Sequence, residues 1–437
     1  MIAKMVKKIV LFLSGITILY VFIWLTTFEG LMKIRYSCYK IRLCYPLSQI
    51  LEKHKLYRLP TLTSIFDPFF LAVPTPPSSL PIYQLSVDPQ DYQSIADDLP
   101  PPYSVQFNTT ASKKIPGRLV IDNQDYQIEL NFRGIGYHHW SETKKSLRVS
   151  FVDPPDYHGR ERLDLIIPAD PDFYGFHLNK WGADRLNLHT NNPDLIHLYI
   201  NQIDFGPYVM LDVWDQDFLE TRSLPNGLIF GDVDPAPDRP DLYRSIEAWK
   251  TYDPPADEVD YSAIESLLNA LNLPDIPESI TRLKQVIDID SFAKWEALTI
   301  FFNSRHQDDF HNIRLFLNPA SGKLEFLPVD FNPSLSKVDL SGKESLLSIN
   351  YNPLVTRLLL DTQIRQTRDQ ILRELVNDEK FQQSLWQKYD DLYRQTRGDF
   401  YRDPIMLESN LRFEWIVRYE KSMIKTNINT LKQQLQL

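Results

Sequence analysis

Cysteine is nearly missing from this 437-residue chain: Cys38 and Cys44 are the only two. Two thiols are too few to assign a redox compartment. Six residues apart, they could form a disulfide outside a membrane, accept lipid inside it, or remain free thiols. Glycine is also scarce, 14 residues against 31 prolines, so many loops are expected to be rigid. There is no CxxC, HExxH or Ser-His-Asp constellation and no internal repeat. Positive charge is in deficit as well. The net charge is −10, yet the first sixty residues carry ten Lys/Arg against Glu29 and Glu52, about +8, which leaves about −18 for the remainder. A body that acidic is a poor nucleic-acid binder, because such binding draws most of its affinity from neutralising phosphates. Apolar residues are not lacking. They make up 43% of the chain and aromatics 12%, which excludes disorder, and the length suggests two or three structural units.

Long apolar runs are rare, with one exception. Ile9–Thr27 is interrupted only by Ser14, Gly15, Thr17 and the closing Thr26-Thr27, and Lys4, Lys7 and Lys8 precede it. Nineteen helical residues span roughly 28 Å, enough to cross a hydrocarbon core. The exit WLTTFEG offers no small-x-small cleavage site, so the run reads as one uncleaved transmembrane anchor over residues 1–28. Lys33, Arg35, Lys40 and Arg42 on the far side outnumber the lysines before it, and counting positive charges alone leaves the orientation open. Residues 29–81 read as a basic juxtamembrane segment followed by a Pro-, Ser- and Thr-rich linker.

Folded structure is expected from residue 82. Tyr83–Val87, Val105–Phe107, Arg118–Ile121 and Tyr126–Phe132 alternate as strands, with Asp122-Asn123 as a turn and Asp88 capping a helix over Pro89–Asp98. After Arg133-Gly134-Ile135-Gly136 comes a strand whose Leu147, Val149 and Phe151 share a face with Lys145, while Lys144 falls on the opposite face. An inward lysine needs an anion or a carboxylate. His138 and His139 flank Trp140 without a third ligand at recognisable spacing, and read as loop histidines stacked on the indole. Asp232–Tyr261 is acidic and Pro-rich, a long surface loop. Beyond it Ser262–Leu271, Ile280–Val286, a helix capped by Asp290, Pro353–Leu360, Thr362–Val376, Glu379–Gln395 and Leu407–Gln434 carry helical periodicity.

The stretch NSRHQDDFHNIRLFLNPASGKLEFLPVDFN, residues 303–332, concentrates polar residues with chemical potential. It reads as two strands, Ile313–Leu317 and Leu324–Val329, joined through Asn318, Pro319, Ser321 and Gly322. Asp308 and Asp309 lie on the loop before them, Asn312 at the entry, and Asp330 and Asn332 at the exit, on the face opposite Leu327, Val329 and Phe331. Carboxylate, loop, amide, hairpin and carboxylate can place a base and a Mg²⁺ site around a phosphate.

These residues resemble the spore-coat protein H (CotH-like) atypical protein kinase family. The resemblance is carried by YQLSVDPQDYQSI, by Arg133-Gly134 followed by Lys144-Lys145-Ser146-Leu147-Arg148-Val149, by LYINQIDFGPYVMLDVWDQDFL (residues 198–219), and by residues 308–332, and it covers about Tyr83 to Tyr419. It implies an α+β, bilobal kinase-like fold with a β-rich lobe over 82–231, the acidic loop 232–261 and a helical lobe over 262–437. It also implies ATP and Mg²⁺ as cofactors, with phosphoryl transfer to protein Ser/Thr. Lys145, or Lys144 in the alternative register, would meet the phosphates, and Arg133 and Arg148 are further candidates whose other reading is a surface salt bridge. Asp308 or Asp309 would take the hydroxyl proton, and Asn312, Asp330 and Asn332 would hold the metal. The side of the membrane favoured by the resemblance is extracytoplasmic, with a protein substrate or envelope partner.

Four departures from that pattern stand out. No helix is expected between a Leu186–Leu188 strand and the LYIN strand. Asp212 stands where Glu is usual, Gly231 where Lys is usual, and Asn332 where a carboxylate is usual. They set a second reading beside the first, a catalytically silent envelope scaffold.

Overall fold

The structure, a computed structural model, describes Gly15 and residues 62–436, except 101–112, 135–138, 141–143, 153–156, 170–171, 233–240, 253–258, 305–306, 332–345, 348–351 and 407. The apolar run Ile9–Thr27 (Gly15 apart), Cys38, Cys44, the Val105–Phe107 strand, His138 and Asn332 therefore lie outside the described residues. Among those described, no helix is long and apolar enough to cross a membrane.

Seven strands close a barrel: β1 (Ile82–Val87), β2 (Ile115–Ile121), β3 (Gln124–Phe132), β4 (Leu147–Phe151), β5 (Arg162–Ile166), β6 (Pro193–Ile200) and β7 (Ile203–Asp212). Their order is β1-β2-β3-β4-β5-β7-β6, with parallel β1/β6 pairing completing the ring. Period-2 alternation fills the interior, where Leu119, Ile128, Leu130, Leu147, Val149, Leu163 and Leu165 are all buried. Asp122 and Asn123 join β2 to β3 at φ 52° and 63°, the doubly left-handed turn that short polar side chains tolerate.

A second sheet, ordered β11-β10-β8-β9, comprises β8 (Leu228–Asp232), β9 (Trp249–Thr251), β10 (Arg314–Asn318) and β11 (Lys323–Phe326). One face carries Phe230, Leu315 and Phe326 into the large helical core. The other carries Ile229 and Phe316 against Trp214 and Phe218, at the end of β7. The helices are α1 (Asp67–Leu71), α2 (Pro89–Asp97), α3 (Gly175–Arg185), α4 (Gln216–Glu220), α5 (Ser262–Leu271), α6 (Ile276–Val286), α7 (Ile289–Phe301), α8 (Pro353–Leu358), α9 (Thr362–Asn377), α10 (Glu379–Tyr401) and α11 (Asn410–Gln434).

Several expectations need correction. The cap of α7 is Asp288, which accepts from Ser291 N at 2.7 Å, and Asp290 sits inside the first turn. Leu186–Leu188 is not a strand. It follows α3, whose end Leu186 caps, and no helix intervenes before β6. Within the stretch read as a loop over 232–261, Leu242, Tyr243 and Trp249 are buried in the helical core and β9 pairs with β8. The supposed linker is docked too. Asn410 N donates to Asp67 Oδ1 at 2.9 Å, and Phe70 packs on Tyr401.

Candidate functional site

Asn312 and Asp330 meet. The Asn312 side-chain amide donates to Asp330 Oδ2 at 3.1 Å. Both backbones are left-handed, at φ 61° and 51°. Asn and Asp are the side-chain-bearing residues that accept this region best, and such backbone clusters at functional sites. The preceding loop is clamped from three sides. Gln307 Nε2 donates to the carbonyls of Val329 (2.9 Å) and Asp330 (3.0 Å), Ser304 Oγ donates to Gln307 Oε1 (2.9 Å), and Leu242 N donates to Asp309 O (2.9 Å). The core face of α7, with Phe292, Trp295, Leu298 and Phe302 all buried, carries this loop.

Asp308 Oδ1 accepts from Phe310 N (2.8 Å), His311 N (3.0 Å) and His311 Nδ1 (2.6 Å). Burial alone would raise this carboxyl, but the His311 contact and the backbone donors outweigh it and hold it below the ordinary carboxylate range. Asp309 adjoins it, half-buried.

Cations reach this region by a route the lysine reading did not foresee. Lys144 is buried and pairs with Asp403 at 2.5 Å, with the Tyr208 ring 4.9 Å away. Lys145 donates to Trp140 O at 2.6 Å and lies 5.9 Å from the Phe132 ring. Arg314 instead shares the β10 face of Phe316, two residues past Asn312. It pairs with Asp232, stacks 4.6 Å from the Tyr252 ring, and feels the charge of Asp330. Burial would lower the guanidinium, yet Asp232, Tyr252 and Asp330 keep it raised. Gly231, where the family resemblance implies Lys, is what makes room. A Cβ there would come within 2.6 Å of Tyr252 and 2.8 Å of Arg314.

From the barrel side, Arg148 and Arg133 both grip Asp164: Arg148 Nε at 2.7 Å and Nη2 at 2.9 Å, Arg133 Nε at 2.9 Å. The salt-bridge reading of these two arginines is therefore what the structure shows, although Asp164 is the buried partner and each arginine remains about 30% exposed. Burial would lower Arg148. Asp164 raises it most, with Tyr252 and Asp215 adding smaller contributions. Asp212 takes Arg222 Nη2 at 2.6 Å and Asn192 N at 2.8 Å. Arg222 also donates to Thr190 O (2.6 Å), and Thr190 Oγ1 to Pro328 O (2.6 Å), which ties the end of β7 to the approach of Asp330. Sequence reasoning missed Arg314, Tyr252, Arg222, Thr190 and Gln307. Only Arg314 left a legible signal, by its period-2 spacing from Asn312.

An oxygen-donor pair of one carboxylate and one amide suits Mg²⁺, which binds through one or two protein carboxylates and keeps waters and substrate phosphates. Among the described residues there is no cluster of three or more His, Cys, Asp or Glu, so a cage made wholly of such side chains is not provided there. Asn312 and Asp330 are in contact, and their donor set is compatible with Mg²⁺.

A mixed α+β chain with a barrel, a helical half and an Asp/Asn-bearing hairpin between them is the class that this geometry defines. The family model described as CotH kinase protein matches residues 130–435, and the chain belongs to that family. It is 22% identical over 349 residues to the inner spore coat protein H of Bacillus subtilis (strain 168), covering 77% of this chain and 92% of that protein. A chain from the Shewanella oneidensis MR-1 HipA, HipB and operator DNA complex superposes at TM-score 0.33 and 10% identity, covering 86% of this chain and 79% of that one. A likeness that weak carries no argument.

Proposed function

We propose that this chain is a membrane-anchored CotH-like kinase, with a bilobal kinase-like arrangement, that transfers the γ-phosphoryl group of ATP to protein Ser/Thr with Mg²⁺. The observation that carries the reading is the Asn312–Asp330 contact beside the Asp308-Asp309 loop, within a family described as kinase protein. Phosphoryl transfer asks little covalent chemistry of a protein; it asks for positioning and charge neutralisation. Asp330 and Asn312 would hold Mg²⁺, which neutralises charge on the transferring phosphates. Arg314, packed on the Tyr252 ring two residues past Asn312, is the cation we assign to the phosphate side, with Arg148 as a further candidate from the barrel. Asp308 or Asp309 would orient the acceptor hydroxyl and take its proton. The similarity to an inner spore coat protein supports a site of action at a cell envelope.

The test is Mg²⁺-dependent incorporation of labelled phosphate by the full chain, with Asp330→Ala as control. Loss of labelling by about 100-fold or more in the variant is expected, and of Asp308→Asn and Asp309→Asn, the one that loses more kcat marks the proton acceptor. Equal labelling by wild type and Asp330→Ala sinks the enzyme reading.

One observation favours the second reading, a silent scaffold: Lys144 is committed to Asp403 and Lys145 to the Trp140 carbonyl. ATP-dependent thermal stabilisation without transfer would mark that outcome, because a ligand of the native state alone raises melting.

A further inference from the structure

The stretch that enters the described fold behaves oddly for a linker. It is fixed to the last helices: Asp67 accepts Asn410 N, Phe70 packs 5.3 Å from the Tyr401 ring, and Arg402 Nη1 donates to Thr75 Oγ1 at 2.9 Å. Yet several of its apolar side chains are exposed. Phe69 is 71% exposed and Ile65 63%, with Phe66 and Leu71 close to half. The 3-10 turn Leu62–Phe66 runs along α11, whose own outer side exposes Trp415 and Tyr419, stacked at 4.7 Å. Arg412 covers the indole at 4.2 Å. Ile65, Phe66, Phe69 and Leu71 are thus exposed where the described chain begins, beside a helix that itself exposes Trp415 and Tyr419.

We infer that this face rests on a lipid bilayer, with its rings at headgroup depth. Three things select lipid as the occupant. Trp, Tyr and Arg together on the outer side of α11, the helix that the exposed Phe and Ile segment packs along, is the composition that suits a membrane–water interface. The face stands at the foot of the tether from Ile9–Thr27, a run long enough to span. Between that run and Leu62 lie Lys33, Arg35, Lys40, Arg42, Lys53, Lys55 and Arg58 against Glu29 and Glu52, a basic segment drawn to anionic headgroups. The acidic remainder of the chain is repelled by the same headgroups, which favours orientations with the acidic faces outward and this apolar end inward. The inference rests on the membrane anchor of the proposed reading and is independent of phosphoryl transfer.

The experiment uses the full chain in vesicles of phosphatidylcholine and phosphatidylglycerol. A nitroxide is placed at Phe69→Cys or, as reference, at Ile203→Cys on β7, which is 63% exposed. Both carry Cys38→Ser and Cys44→Ser, and both are checked for unchanged melting. Collision rates with oxygen and with a water-soluble nickel chelate are measured. The expected result is an oxygen-to-nickel ratio several-fold higher at position 69 than at 203. Equal ratios overturn the inference. So does shielding of position 69 from both reagents, which would mean that residues 28–61 or a second copy covers the face, and so does failure of the chain to bind the vesicles.

Discussion

At the scale of single residues, the site depends on backbone that few side chains tolerate and on one position without a side chain. Asn312 and Asp330 sit in the left-handed region, where a β-branched replacement is strained. Gly231 is required for a different reason: the volume its Cβ would claim is filled by Tyr252 and by the paired guanidinium of Arg314. Those neighbours are flexible side chains, but Arg314 is nearly buried and held by Asp232, so it cannot simply swing away. Gly231→Ala is expected to cost about 1–3 kcal/mol, read as a lower thermal or denaturant midpoint. The family-like Gly231→Lys is expected to cost at least as much unless Arg314 is shortened with it.

At the scale of elements, helix starts are set by which residue can turn its side chain back onto the first free N–H groups. The chain offers Asp288 and Asp290 two residues apart, and pattern reading chose the second. The structure chooses Asp288, because Ile287 pairs with Leu324 beside β11 and fixes the entry of α7. Asp288→Ala is expected to lower stability by about 1 kcal/mol, and Asp290→Ala, which loses only an exposed contact to Lys294, by a few tenths.

Helix α3 supplies a pH response. His177 is buried on it, and burial depresses its imidazole to about 4. Its folded pKa lies below the unfolded value of 6.5, so between the two the unfolded chain holds the extra proton. Stability is therefore full above about pH 6.5 and lost as pH falls toward 4. From pH 7 to 5 the loss from this group is about 2 kcal/mol. Melting of His177→Gln over that range should show a shallower pH dependence than wild type.

At the scale of the whole molecule, the barrel and the helical half are joined by a buried ion pair, Lys144 with Asp403, each side chain 2% exposed. Burial pushes the lysine down and the carboxyl up, while their mutual charge opposes both. Removing one partner strands the other: Lys144→Met is expected to cost about 3–5 kcal/mol. Lys144→Met with Asp403→Asn should recover much of that, read by chemical denaturation as a coupling energy.

This pair also marks where sequence reading stops. Local features were legible because their causes are local. The alternation of β1 to β4, the Asp122-Asn123 turn, the helices from Ser262 onward and the Asn312–Asp330 hairpin follow from period, turn chemistry and capping within a few residues. The choice between Lys144 and Lys145 was not, since the strand pattern says which residues share a face but not what that face meets.

What the sequence by itself determined is the family, the mixed α+β class, many of the strands and helices, and the polar hairpin with Asp308, Asn312 and Asp330. Only the tertiary structure decided which cations stand near that hairpin. Arg314 and Tyr252 come together from segments about sixty residues apart. Lys144 is drawn off to an aspartate 259 residues away, because a buried ammonium goes to whichever carboxylate the packing brings to it. No spacing along the chain encodes that meeting; burial of two charges in one place does.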